Sequence, residues 1–231
     1  MADKNQLTEA PFRHYAERYA KSDPVEVASR TGAEWDAVRG VFSLRLMGAC
    51  YEIAHPVFER NRFNTPYEEI LLLRFLLEGR YVKGSGTMLA YQEMPWGDVY
   101  RTQFKGRVLG RLAGTFAREP GNLARAAQKI PGLRYEALEG GADGMSSWPQ
   151  LKCDAGIRVE FLGSGGGAEG AGGQAGGGMS LWLAILLWQG DEEFPGSAQV
   201  LFDESFRYAF TAEDMAVVGD VMISRLKNAL R

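Results

Sequence analysis

Two acidic groups, separated by a short apolar run, carry the most chemistry in this sequence. Asp191, Glu192 and Glu193 follow the apolar run 181–188, and Asp203 and Glu204 follow the run 199–202. Carboxylates gathered at one edge of a sheet can bind a hard cation through oxygen, or move protons with a raised pKa. Asp191, Glu193 and Asp203 are the set such a centre would use, with Mg²⁺ or Mn²⁺ as the ion and metal-assisted hydrolysis as the reaction. The structural alternative is that Asp191 and Asp203 tie up loop amides as turn residues. Strand pairing decides between the two. Antiparallel neighbours put the acidic groups at opposite ends of the pair, a parallel crossover puts them on one edge, and the sequence leaves both open. His55, followed by Pro56, ends an extended run, where it serves either as a hydrogen-bonded structural residue or as a ligand. Trp96, Tyr100 and Trp188 could wall a small-molecule site built with Asp191, Glu192, Glu193, Asp203 and His55. There is no H-E-x-x-H, no G-x-S-x-G and no assignable Ser–His–Asp set, and the chain has two histidines. The residues therefore do not say whether this is an enzyme, and they name no cofactor.

The elements that must hold these residues are easier to read. Residues 181–188 form an uninterrupted apolar run between turn residues, which suits a strand buried on both faces. Residues 199–202 read as the next strand. The segment between them is too long for a two-residue hairpin, and Pro195 interrupts ladder pairing there. Residues 41–46 and 49–54 alternate around Met47-Gly48 as a hairpin with one buried face. Residues 7–20 show helical spacing of Phe12, Tyr15, Ala16 and Tyr19. Asp23-Pro24 caps a short second helix ending near Gly32. Thr65-Pro66 with Glu68 reads as a capping box opening a helix to Gly79, apolar nearly all round except Arg74. Arg74 needs an acidic partner or a route to water. Residues 81–95 read as irregular. Asp98 reads as the N-cap of a basic helix carrying Tyr100, Phe104, Val108, Leu112 and Phe116, each four residues apart. A short helix follows over 122–130, then strands over 133–138 and 157–162. Thr211 to Asp214 caps a last helix lined by Met215, Val218, Val221, Met222 and Leu226.

Composition excludes several classes. The 231 residues include 26 Lys and Arg against 29 Asp and Glu, a net charge of −3, so there is no basic footprint for nucleic acid. No run approaches the roughly 20 apolar residues that span a bilayer, and residues 1–10 lack the apolar core of a signal peptide, so a cytoplasmic location is expected. Cys50 and Cys153 make no disulfide framework or C-x-x-C pair. Residues 163–178 are mostly glycine. Gly165, Gly167 and Gly170 satisfy G-x-G-x-x-G, but so rich a tract meets such patterns by chance and no helix opens after it, so it reads as a flexible, disordered insertion. The expected architecture is α+β: a mostly antiparallel central sheet covered by helices, in a single domain over 1–231 with an N-terminal helical segment over 1–40.

Several of these pieces together resemble one family, the domain of unknown function DUF3786 of anaerobic bacteria and archaea. They are Gly48-Ala-Cys-Tyr51 with His55-Pro56; Glu69-Ile-Leu-Leu-Leu-Arg-Phe-Leu-Leu77; Trp96-Gly97 with Tyr100 and Phe104; Trp188-Gln-Gly-Asp-Glu-Glu-Phe-Pro195; Leu201-Phe-Asp203; and Thr211-Ala-Glu-Asp214. The resemblance runs from about Tyr15 to Leu226. It implies no settled activity. Some members resemble proteins with an added cysteine-rich iron–sulfur segment, whereas this sequence has no cysteine cluster, and their occurrence in organisms using corrinoid and iron–sulfur chemistry implies an accessory role beside anaerobic cofactor metabolism. Three roles follow: a cytoplasmic small-molecule or cofactor-binding accessory protein, a Mg²⁺- or Mn²⁺-dependent hydrolase-like enzyme, or an interaction module with a protein partner.

Overall fold

The computed structural model describes residues 6–60, 63–138, 153–165 and 178–231, with side chains from Phe12 onward. The glycine tract and the loop expected over 140–147 lie outside the described residues, apart from the tract's ends. Helices α1 (Gln6–Ala20) and α2 (Pro24–Thr31) come first, then strands β1 (Glu34–Asp36), β2 (Val41–Leu46) and β3 (Ala49–Ala54), then helix α3 (Pro66–Glu78). Strand β4 (Met88–Ala90), helices α4 (Arg101–Phe104), α5 (Gly110–Phe116) and α6 (Gly121–Lys129), and strand β5 (Tyr135–Leu138) follow. The chain ends with β6 (Ala155–Ser164), β7 (Ser180–Trp188), β8 (Ser197–Asp203), α7 (Phe206–Ala209) and α8 (Ala212–Ala229).

The sheet has the order β1-β2-β6-β7-β8-β4, with β3 beside β2 and β5 beside β6. Each described pairing is antiparallel. The fold is thus α+β, with helices flanking an antiparallel sheet. β6, β7 and β8 form a central meander. β7 has neighbours on both edges, and its residues from Leu183 to Leu187 are all buried. Leu181, Leu183, Ile185 and Leu187 join the main core, while Ala184 and Leu186 pack with Ala90 and Leu201 in a smaller second cluster. This is the two-sided burial that the unbroken apolar run requires.

Local chemistry explains most element boundaries. Met47 and Gly48 turn the β2–β3 hairpin with φ of 43° and 85°, the left-handed geometry of a tight two-residue turn. Gly48 meets Gly132 there: a Cβ on Gly48 would lie 2.4 Å from the Pro131 carbonyl. Asp23 caps α2 by accepting from the Val25 amide, and Thr65 caps α3 by accepting from the Glu68 amide. Glu68 does not complete a capping box. Its carboxylate turns inward to Arg225 and Tyr51, because a 1% exposed charge needs a cation more than the cap needs a second bond. The segment expected to be irregular over 81–95 includes β4, which pairs with the edge of β8.

The basic helix starts later than expected, at Arg101, and the side chain of Asp98 does not cap it. Between α4 and α5 the backbone takes a π-helical turn, Lys105–Leu109. The sequence spacing accounts for that turn. Steps of four residues drift by about 40° each on an α-helix, so three steps from Phe104 would rotate Phe116 about 120° off the core face. A π-turn absorbs one residue and cuts the drift to about 20°. Phe104, Val108, Leu112 and Phe116 are accordingly all buried. α8 approaches this segment closely at Gly219, where a Cβ would lie 2.4 Å from a Val108 methyl.

These contacts set opposite outcomes for two glycines. Val108 is β-branched and stiff, so Gly219→Ala is expected to destabilise the fold by about 2 kcal/mol through overpacking. Gly106 faces open space, so Gly106→Ala is expected to stabilise by up to about 1 kcal/mol. Urea unfolding midpoints of the two variants check both signs.

Candidate functional site

The residues singled out by their chemistry fall in four separate places. Asp191, Glu192 and Glu193 sit exposed in the loop joining β7 to β8. Asp191 holds that loop, accepting from the Glu193 and Phe194 amides at 2.9 and 2.7 Å. Asp203 lies at the far end of β8, roughly 20 Å away for a strand of this length. It is buried, accepts from the Ser205 amide at 2.9 Å and has Gly84 packed against its carboxylate. Antiparallel pairing therefore puts Asp191 and Glu193 at the opposite end of the β7–β8 pair from Asp203. Among the described residues no three His, Cys, Asp or Glu side chains gather as metal ligands.

His55 belongs to the packing of the end of α1 against β1 and β2. Its Nε2 lies 3.1 Å from the Tyr19 carbonyl and 3.4 Å from Ser22 Oγ, with the rings of Tyr19 and Trp35 set edge-on to it. Trp188 ends β7 beside the acidic loop. Trp96 and Tyr100 lie elsewhere, near the start of α8, where Tyr100 donates to Glu213 at 2.9 Å.

Trp96 rims a half-open cleft of about 290 Å³, with Arg74 and Glu78 of α3, Arg207 and Tyr208 of α7, and Thr211 and Asp214 at the start of α8. Four elements converge because each is tied to the next. Tyr91 stacks on Phe104 at 3.9 Å and donates to the Ala212 carbonyl at 2.9 Å, fixing the turn that carries Trp96 to the head of α8. Burial pushes the Tyr91 hydroxyl up to about 12, which keeps it a donor. Gly97 next to Trp96 is pressed against the Tyr91 carbonyl, leaving no room for a side chain. The Arg80 amide donates to the Tyr208 carbonyl, joining the end of α3 to α7.

Trp96 itself is unusual. It has φ of 63° and is 78% exposed. A bulky residue in the left-handed region costs about 1–2 kcal/mol, and so exposed a ring gains little packing in return.

The floor of the cleft is a charged chain. Arg74 pairs with Asp214 at 2.7 Å and approaches Glu78 at 3.8 Å, and Glu78 accepts from Arg18 at 2.7 Å. The Arg74 Nε is buried with no hydrogen-bond partner. Asp214 closes a capping box with Thr211, accepting from the Thr211 amide and hydroxyl. Its carboxyl is raised above its ordinary value by burial, against the lowering effect of Arg74 and Thr211. The sequence shows both halves of this floor: Arg74 as a charge needing a partner and Asp214 as a cap. It does not show that they meet. Arg207 and Tyr208 sit on a four-residue helix with no periodic signal.

Glu68 and Glu160, also buried, lie outside the cleft in closed networks. Arg225 binds both oxygens of Glu68 at 3.0 Å while Tyr51 donates to Glu68 at 2.7 Å. Arg45 and Ser180 satisfy Glu160 at 2.7 and 2.6 Å.

With this geometry in view, comparison with known proteins gives one relationship. The family model described as a domain of unknown function (DUF3786) matches residues 23–162 and 180–225, most of the chain, and the protein belongs to that family. The matched stretches leave out 163–179, which holds the glycine tract, and take in every residue of the cleft. Neither a curated protein nor a solved structure matches the chain. No helix among the described residues is long and apolar enough to cross a membrane.

The raised Asp214 carboxyl has a consequence for stability. The folded chain binds this proton more tightly than the unfolded chain. The stabilisation is complete below the ordinary value of 3.8 and is lost as pH rises through the raised folded value. Asp214→Asn has no such titration. The stability of the wild type minus that of the variant is expected to fall as pH climbs from 3.8 towards neutrality, measured by urea unfolding across the interval. A difference that grows over the same interval would mean that pairing with Arg74 outweighs burial.

Proposed function

We propose that this DUF3786 protein is a small-molecule-binding accessory protein whose site is the Trp96 cleft. The observation that carries this reading is Trp96 itself: a large ring held in a costly backbone conformation, largely in solvent, at the mouth of a cavity. Strain kept without repayment in packing is the mark of a residue retained for what it contacts. The cavity lies at the lower end of the range for ligand sites, which favours a compact ligand. Apolar surface from Trp96, Pro95 and Phe210 surrounds a few placed polar groups, the usual division of labour in such sites. Tyr100 supports the cleft from outside its lining by holding Glu213, next to Asp214. Asp191, Glu192 and Glu193 act as a structural turn, and His55 as a packing residue. The wider attribution, to a cytoplasmic helper of anaerobic cofactor metabolism, rests on the family resemblance.

Screening the full chain against small ring compounds by thermal denaturation tests the reading. A ligand at a hundredfold its Kd adds about 2.7 kcal/mol, a rise of about 5–10 °C for a chain of this size. At least one compound is expected to give such a shift, and Trp96→Ala to abolish it while circular dichroism stays unchanged. Shifts that survive Trp96→Ala but disappear in Asp191→Ala would move the site to the acidic turn and overturn the proposal.

A further inference from the structure

One charged side chain of the cleft lining lies outside its ion pairs, and its position specifies the ligand more closely. Arg74 is matched by Asp214 at 2.7 Å, and Glu78 is matched by Arg18 at 2.7 Å. These four groups form a neutral chain across the floor. Arg207 stands outside this chain; the Glu204 carboxylate, held by the Ser85 amide, also feels its charge. Among the described residues no carboxylate comes within ion-pair distance of its guanidinium; its side chain lies 5.9 Å from the Tyr208 ring. It is exposed, it lines the same cleft as Trp96, and Tyr208 beside it is 46% exposed. The cleft thus offers two partly exposed aromatic rings and one guanidinium outside any ion pair, a group suited to planar oxyanions through its paired N–H donors. With only about 290 Å³ of space, there is room for a single ring system and not for a dinucleotide.

From this placement we infer that the cleft selects a compact planar anion: one flat ring system carrying a single carboxylate or phosphate. The ring lies against Trp96 and the oxyanion is held by Arg207. The inference rests on the proposed cleft function and adds ligand charge to it. Arg74 and Asp214 take no direct part. They are spent on each other and set the floor against which the ring is positioned.

The experiment uses matched pairs of acid and neutral amide that share a ring: benzoate with benzamide, nicotinate with nicotinamide, and indole-3-acetate with indole-3-acetamide. Binding to the full chain is measured by calorimetry at low ionic strength, because a single exposed ion pair is screened by salt. For at least one pair the acid is expected to bind about tenfold or more tightly than its amide. Arg207→Gln should remove that preference by weakening the acid far more than the amide, and Trp96→Ala should weaken acid and amide alike. Equal binding of acid and amide by the wild type, lost in Trp96→Ala, would overturn the anion inference while leaving the cleft as the site. A preference for the acid that persists in Arg207→Gln would also overturn it, by assigning the oxyanion to another cation. Absence of binding by all six compounds would count against the anion inference, and the wider thermal screen would then decide separately whether the cleft binds anything.

Discussion

β7 is nine residues long and carries no charge, so it has to be enclosed on both edges and both faces. Much of the architecture follows from that need. Its edges are taken by β6 and β8. On one face its leucines and isoleucine meet the helices, and α5 makes direct contact with it. On the other face its side chains are smaller where crowding demands it, with Ala184 packed against Leu201 and Ala90. β4, only three residues long, is recruited to the edge of β8 and brings Ala90 into that second cluster. The chain leaving β4 then has to turn at once, through Tyr91 to Glu93 and on to Trp96. The position of the cleft therefore follows from how the sheet is closed at its β8 edge.

Enclosing so much apolar surface also draws charges inside, and arginines meet most of them. Glu160 has Arg45, Glu68 has Arg225, Asp220 has Arg107 and Arg111, and Asp214 has Arg74. A buried ion pair rarely adds much stability over a well-packed apolar substitute, yet losing one partner is costly. The pairs differ in how completely they are closed. Glu160, Glu68 and Asp214 each accept from a hydroxyl as well as an arginine, but Glu160 and Glu68 do not line the cleft. Asp214 and Arg74 border open space, and Arg74 keeps an unpartnered Nε. That difference separates a structural network from the floor of a site more clearly than the identity of the residues does.

Much of the fold was legible in the sequence because its signals are local. Caps at Asp23, Thr65 and Thr211, the Met47-Gly48 turn and the apolar run of β7 each depend on residues close in the chain, and each appears where the spacing puts it. Direction and meeting points were not legible. Nothing local distinguishes an antiparallel β7–β8 pair from a parallel one across a loop containing Pro195, and that distinction separates Asp191 from Asp203. Glu68 shows the same limit: its position marks a cap, but an arginine 157 residues further on takes the carboxylate. The π-turn is a different case. Its signal, four strict four-residue steps from Tyr100 to Phe116, is present in the sequence and implies a winding slower than an α-helix. The site was half legible: Trp96, Arg74 and Asp214 each stood out alone, whereas Arg207 and Tyr208 carried no pattern.

Trp96 joins these threads. A strained backbone can be held only where its surroundings over-determine it, and here three constraints act on one short turn. Tyr91 is locked by its stack on Phe104 and its bond to Ala212. Gly97 has no space for a side chain beside the Tyr91 carbonyl. Met94 is buried in the core just before the turn. Each could be satisfied with a glycine at position 96, which would relieve the left-handed strain at no steric cost. A tryptophan in that place adds apolar surface where the fold does not use it and faces a cavity where a ligand would. The turn is stiff because of its neighbours, and that stiffness is what allows an exposed ring to keep one orientation at the mouth of the cleft. Pre-organisation of this kind would lower the entropy lost by any molecule that stacked against the ring.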